Sequence, residues 1–448
     1  MRNLSSDKLL TIEEKNARFN PPVKTTPSVS KPIFNEKKGS IAFENPKNNL
    51  NDFKRQPLLT HALSGVSPCL AKADVNGDGL DDVFVGGASG QASGMFTQNK
   101  NGTFSQKPQP AFEKDKQSED AEALFFDANG DKNPDLYVCS GGYGNFAPND
   151  PALQDRLYLN DGKGNFTKNA NALPVHLVST SCARAADVNG DGALDLFVGG
   201  RVSVGRYPES PLSILLINNG KGQFSDQTKQ LAPALSTLGM ITDAVFHDLN
   251  QDGKIELIIV GEFMPISVFG FENNVLTDVT TRFFDKKYSG LWQKIMLEDL
   301  NDDGRMDLVI GNLGLNSPIK ASEKQPAELF FKDFDDNGAV DPILCFYNQG
   351  RPFPYVTRDE LLDQISMLRG RFPDYKTYAE ATFETIFTKE ERKGATRLEA
   401  NCLKTMLFFE RFKPKNLKKS RSQLPFKLPQ FLLFRPSTSI KMVKKTCF

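Results

Sequence analysis

The chain has 448 residues, 39% hydrophobic and 25% charged, with 34 Gly, 27 Pro and 35 Phe, enough for one large repeat domain or two to three ordinary ones. No stretch reaches the roughly 18 continuous apolar residues of a membrane-spanning helix, and the opening residues show no apolar segment that reads as a secretory signal. The formal net charge of +0 is unevenly spread: residues 411–448 hold 11 Lys or Arg and no acid, leaving 44 basic against 55 acidic side chains in residues 1–410. An acidic body argues against nucleic acid, whose phosphates select a positive face.

In chain order, residues 1–33 are rich in Lys, Pro, Ser and Asn without periodicity and read as a disordered lead-in. Order is expected from Pro32-Ile-Phe34, with residues 41–43 and 52–59 as an edge strand and a connector. From there a loop motif recurs, starting at Asp74, Asp127, Asp187, Asp248, Asp299 and Asp333. In the third copy, Asp187, Asn189, Asp191 and Asp195 stand at positions 1, 3, 5 and 9, Gly192 at 6 and Ala193 at 7, and an apolar run begins where the loop closes. Alternate residues of a tight turn point inward and the position-7 carbonyl adds another oxygen, which is how a short loop wraps calcium, an ion that takes six to eight oxygens at about 2.3–2.6 Å. The glycine supplies the bend.

The corresponding ligand sets are Asp74, Asn76, Asp78, Leu80 and Asp82 in loop one, and Asp127, Asn129, Asp131, Asn133 and Asp135 in loop two, where Lys132 replaces the bend glycine. Loop four offers Asp248, Asn250, Asp252, Lys254 and Glu256, whose longer side chain must adjust its reach. Loop five offers Asp299, Asn301, Asp303, Arg305 and Asp307, and loop six Asp333, Asp335, Asn337, Ala339 and Asp341. Each set is expected to hold three carboxylates within a few ångströms. Without metal they repel, pushing one member toward protonation. Six divalent ions would nearly balance the excess negative charge of residues 1–410. Magnesium, which keeps its waters, suits such a cage less well than calcium.

Around each loop the pattern is strand, loop, strand, followed by a third strand, a Gly-rich turn and a fourth strand opened by Phe, as in residues 156–166 and 215–224. Four strands per 50 to 60 residues, repeated, is the pattern of propeller blades. Loops five and six are closer together, so blade five is expected to be trimmed. Past Asp341, Thr357-Arg-Asp-Glu360 and Thr388-Lys-Glu-Glu391 read as capping boxes and Asp374 as a helix cap. They predict a helical insertion over about 356–396 in blade six, with residues 403–408 resuming that blade's third strand. Six widely spaced cysteines, without a CxxC pair, read as buried free thiols.

These motifs resemble the FG-GAP/VCBS repeat proteins, with blades like those of integrin α-subunits, and within them the bacterial ASPIC/UnbV-containing relatives of cartilage acidic protein. The resemblance rests on residues 74–91, 153–166, 187–202, 311–322, 333–344 and 358–373. It implies an all-β fold: a seven-bladed-type β-propeller with calcium loops, an incomplete last blade and a small α-helical insertion, spanning 34–410 and located outside the cytoplasm. Residues 411–448 depart from the pattern and read as a basic, disordered or out-of-frame tail. Read two bases later, the codons for residues 439–448 can spell a seventh loop, Asp-Lys-Asp-Gly-Lys-Lys-Asp-Met-Phe, so a frameshift is expected there.

The function expected is non-enzymatic: a calcium-binding adhesion or ligand-binding module for a protein or glycan, with structural Ca2+ and no catalytic residues. No phosphate loop, nucleophile elbow or HExxH motif is present. The three histidines, His61, His176 and His247, form no pattern, and His247 reads as a packed residue. A polysaccharide-active enzyme with its site in the propeller funnel is the alternative, which convergent titratable groups with an open metal position would favour. RNA binding is a further one, opposed by the acidic body.

Overall fold

A computed structural model describes residues 41–46, 50–65 and 67–409. The lead-in, the basic tail, Cys447 and the seventh loop in the other frame lie outside the described residues. What is described is built of antiparallel sheets, and the expected all-β propeller architecture is present.

The first sheet contains β1 (Leu70–Ala73), β2 (Asp82–Val85), β3 (Gly94–Gln98) and β4 (Phe104–Lys107) in that order, followed by the short helix α1 (Pro110–Lys114). The second repeats the plan with β5 (Glu119–Phe126), β6 (Asp135–Gly141), β7 (Arg156–Asn160) and β8 (Phe166–Lys168). The third has β9 (Ser179–Ala186), β10 (Asp195–Val202), β11 (Ile214–Asn218) and β12 (Phe224–Asp226), then α2 (Thr228–Leu231). The fourth comprises β13 (Met240–His247), β14 (Glu256–Pro265), β15 (Ser267–Glu272) and β16 (Val275–Asp278), then α3 (Thr280–Phe283). As the period-2 pattern and Gly turns predict, Phe166 and Phe224 open fourth strands.

The second strands explain how the sheets stack. Leu136 and Val138 point into a core shared with Phe84, Met95 and Phe112 of the first sheet side. Their neighbours Tyr137 and Cys139 point into the next core, with Leu196, Val198 and Leu216. Alternation along a strand sends successive side chains to opposite faces, so a strand apolar at every position is buried on both faces. Each such aliphatic side chain contributes about 1.5–3 kcal/mol. The same arrangement recurs around Phe197 and Leu257 and again around Val260 and Trp292.

The later sheets depart from the expected order. The fifth begins with β17 (Ser289–Glu298) and β18 (Asp307–Asn312) and is joined to the fourth in one seven-stranded sheet, since the end of β14 pairs with the start of β17, Glu262 opposite Leu291 and Pro265 opposite Ser289. Its third strand is not the next in sequence. A sixth sheet intervenes, made of β19 (Ala327–Lys332), β20 (Asp341–Asn348), β21 (Arg351–Pro354) and β22 (Thr396–Ala400), in the order β21-β20-β19-β22. Only then does β23 (Met406–Phe408) return to pair with β18, Leu308 opposite Phe408 and Ile310 opposite Met406. Residues 403–408 therefore complete the trimmed blade five instead of blade six. The sequence pattern could not show this, because a three-residue strand carries no address; packing of Phe408 against Phe284 and Tyr288 supplies it.

The helical insertion is present as α4 (Arg358–Gln364), α5 (Tyr375–Ala379) and α6 (Phe383–Ile386). The Thr357/Glu360 capping box forms and Asp374 caps α5. Thr388 and Glu391 exchange the two capping bonds, yet only turns follow. The free thiols Cys69, Cys139, Cys182 and Cys345 are buried, and Cys402 is half-buried.

Residues 41–43 form no strand, whereas 52–54 form a 3-10 turn opening a strap that runs through residue 64. Buried Asp52 accepts the backbone N–H groups of Leu63 and Ser64, both at 2.7 Å. Arg55 donates to the carbonyls of Tyr143 and Phe146. Gln56 donates to the carbonyls of Tyr207 and Val340, each at 2.8 Å. The strap thereby joins the second, third and sixth sheets.

Candidate functional site

Five loops join the first and second strands of their sheets, where the sequence places them. In the third, the Asp187 carboxylate accepts N–H bonds from Gly190 at 2.7 Å, Asp191 at 3.1 Å and Gly192 at 2.9 Å, while the Asn189 side chain accepts from Asp191. Loops one, four and five repeat the bonds to position 1 from positions 5 and 6. Positions 1, 3 and 5 are half-buried or exposed.

Position 9 is different. Asp82, Asp135, Asp195, Asp307 and Asp341 are fully buried, and Glu256 nearly so. Asp195 receives the N–H of Val188 at 3.1 Å and of Asn218 at 2.8 Å, binding its loop to the third strand. Asp82 and Asp135 do the same with Val75 and Gln98, and with Ala128 and Asn160.

Burial drives the pKa of these groups upward, opposed by the backbone N–H bonds and assisted by the neighbouring loop acids. Asp135 and Asp341 rise to about 6, Glu256 rises to about 7, and Asp82 and Asp195 move the same way. In metal-free protein these carboxyls keep protons that the unfolded chain has already released. Stability measured in chelator is therefore expected to rise as pH falls from about 7 toward about 4. Thermal melts in EDTA across that range check it; a midpoint falling throughout would contradict it.

The bend needs two left-handed residues. Position 6 has φ +84° at Gly79, +87° at Gly192, +85° at Gly253, +81° at Gly304 and +88° at Gly338, and Lys132 is held at φ 70°. Position 4 is equally left-handed, with Gly77, Gly130 and Gly190 but also Gln251, Asp302 and Asp336. Relieving the Cβ strain at Lys132 outweighs the added freedom of a glycine in the unfolded chain. Lys132→Gly is thus expected to stabilise by about 0.5–1 kcal/mol, read as a higher urea midpoint.

Two side chains outside the predicted sets stitch neighbouring loops together. Asn160 donates to the Val75 carbonyl of loop one at 2.9 Å and to Pro134 of its own loop at 3.2 Å. Asn218 likewise spans Ala128 of loop two at 2.8 Å and Leu194 at 3.1 Å. The repeated Asn-x-Gly-x-Gly-x-Phe spacing at 160–166 and 218–224 was the signal that could have marked them.

Loop six is placed differently. It joins β19 to β20, and its Gly338 and Val340 carbonyls meet Arg206 and Gln56. Arg206 lies beyond the far end of β10 from loop three, so the strand, ~25 Å long, separates the two loops. The expectation of three converging carboxylates also narrows: among the described residues, the loop acids whose oxygens lie within 4.8 Å of one another are Asp333, Asp335 and Asp341. There Asp335 Oδ1 is buried without a hydrogen-bond partner. An all-oxygen donor set with an unsatisfied carboxylate oxygen fits a hard divalent cation.

On the first strands, Arg184 pairs with Glu122 at 2.9 Å and with Asp243, and Lys294 stands 3.7 Å from both acids. Glu122, Asp243 and Cys182 also lie close enough together to ligate a metal, but Arg184 and Lys294 already face both acids, although Glu122 Oε2 has no hydrogen bond. Buried Glu262 pairs with Arg201 at 2.8 Å and His61 at 3.2 Å. Burial alone would raise its pKa; the Arg201 guanidinium, with the contact from His61, holds it well below the usual carboxylate range. Burial pushes His247 and His176 below the ordinary histidine value. The paired acids and the Arg and Lys side chains beside them neutralise one another.

Among the described residues no helix is long and apolar enough to cross a membrane. Three segments, 74–138, 127–198 and 248–310, match the FG-GAP-like repeat model. A solved structure described as "Crystal structure of BBS1N in complex with ARL6DN, soaked with mercury" is similar at a TM-score of 0.33 and 11% identity, over 65% of this chain and 80% of that one. No curated protein matches the sequence.

Proposed function

We propose that the chain is a calcium-stabilised propeller serving as a non-catalytic adhesion or ligand-binding module outside the cytoplasm, for a protein or glycan partner. The observation that carries this is the repeated loop constellation, with an exposed oxygen-rich rim over a buried position-9 acid. The matched FG-GAP-like repeats support the same reading, as does the pairing of Glu122 and Asp243 with Arg184 and Lys294. The ASPIC/UnbV and integrin likeness belongs to this proposal.

Asp187, Asn189, Asp191, Asp195 and the Ala193 carbonyl, with their counterparts in the other loops, would hold the ions. A bound divalent cation supplies neutralisation of the loop carboxylates. The chain's own part is to fix the loop through the N–H bonds to position 1 and to anchor it through position 9 to the third strand. Calorimetric titration of chelator-treated protein with Ca2+ and Mg2+ tests the metal assignment: several calcium ions with weaker magnesium binding are expected, and absence of calcium binding would refute it. Protein and glycan screens with calcium and with EDTA test the module, which predicts binding lost on chelation.

A further inference from the structure

Loop six has features that the other loops do not combine. Its position-9 acid accepts Phe334 N–H at 2.8 Å on one oxygen, like its counterparts, but the other oxygen accepts Gln364 Nε2 at 2.6 Å. In loops one to three that second bond comes from a backbone N–H of the third strand. Gln364 belongs to α4, so a side chain of the helical insertion reaches into the loop. It is 9% exposed, and its Oε1 is buried with no hydrogen-bond partner. In the same loop, Asp335 Oδ1 is buried and unpartnered, within a cluster where Asp333, Asp335 and the Asp341 that Gln364 contacts approach within 4.8 Å. The backbone around them is already engaged: Asn337 and Gly338 donate to Asp333, and Ala339 donates to Asn337.

One orphaned buried oxygen within the three-carboxylate cluster, and a second on the carboxamide bonded to Asp341, call for a positive group, because an unsatisfied buried acceptor costs about 1–3 kcal/mol. Arg206, which reaches the Gly338 carbonyl at 3.4 Å, is already paired with Glu209 at 2.6 Å. A carboxamide turned by half a rotation exchanges its nitrogen and oxygen without changing shape, so Gln364 can offer Oε1 where it now offers Nε2. We propose that loop six is a divalent-cation site in which Gln364 is a ligand, so that ion binding clamps the helical insertion onto the sixth sheet.

This rests on the calcium reading of the loops, and it gives loop six a separate task. The insertion packs on the same loop: Phe334, at loop position 2, stacks on Phe387 at 4.1 Å and meets Phe383 edge-on, while Leu361, Leu362, Ile365 and Leu368 bury beside it. Tightening Asp333–Asp341 around an ion therefore fixes the floor on which the helices sit. Five loops fasten blades; the sixth makes the order of an inserted element depend on the cation.

The test compares wild type with Gln364→Leu, Gln364→Glu, Asp335→Asn and, as control, Asp187→Asn, by calcium titration and by hydrogen exchange of residues 357–394 with calcium or EDTA. Wild type should show calcium-dependent protection of that segment. Gln364→Leu and Asp335→Asn should each lose it and weaken one site at least tenfold, leaving the rest intact. Gln364→Glu separates the roles: a glutamate keeps an oxygen ligand but cannot donate to Asp341, so retained calcium-dependent protection supports ligation. A folded Gln364→Glu without it, or a Gln364→Leu unchanged in both measurements, overturns the proposal. If wild type binds no calcium and Asp187→Asn changes nothing, the general calcium reading fails instead.

Discussion

Removal of divalent ions is expected to lower the thermal midpoint by about 15–25 °C. A site held at a hundred times its dissociation constant stabilises by about 2.7 kcal/mol, because the unfolded chain does not hold the ion. Several such sites act on sheets whose loops stand side by side, joined by Asn160 and Asn218. Losing one ion frees a loop and also loosens the next, so the effect is that of a set. Melting in millimolar calcium and in EDTA, with magnesium as a third arm, measures it; midpoints within about 2 °C of one another would show that ions do not hold the fold.

Gln56→Leu is expected to destabilise by about 3–5 kcal/mol, although leucine nearly matches glutamine in volume. The carboxamide is 1% exposed and fully used: Nε2 donates to Tyr207 and Val340, and Oε1 accepts from the Tyr207 N–H at 3.1 Å and from the Tyr143 hydroxyl. Leucine would leave buried polar groups from the second, third and sixth sheets without partners. Denaturant unfolding gives the energy, and hydrogen exchange shows where it falls, with protection lost in the sixth sheet before the first. A cost below about 1 kcal/mol would mean that water enters and replaces the side chain.

The repeat was legible because its physics is local. Alternating oxygens, a left-handed bend and an apolar run after position 9 occupy nine to fifteen residues, and six copies reinforce one another. The buried position-9 acids follow from the same pattern, since Asp195 sits where the loop turns into β10. Position 4 was missed because Gln251, Asp302 and Asp336 hide a left-handed site that only the backbone reveals. The strap was missed as well: Asp52, Arg55 and Gln56 look like ordinary surface residues in a connector, and their partners lie up to 284 positions away.

The amino-acid sequence by itself determined the strand-loop-strand plan of the first four blades, the oxygen-bearing pattern of the loops and the caps at Thr357 and Asp374, because each arises from neighbours within one loop or hairpin. Tertiary structure alone decided that β23 belongs to the fifth sheet and that loop six lies away from loop three. It also brought Gln364 onto Asp341. All three depend on contacts between segments distant in the chain, where the energy comes from which surfaces become buried together, and no local spacing encodes that choice.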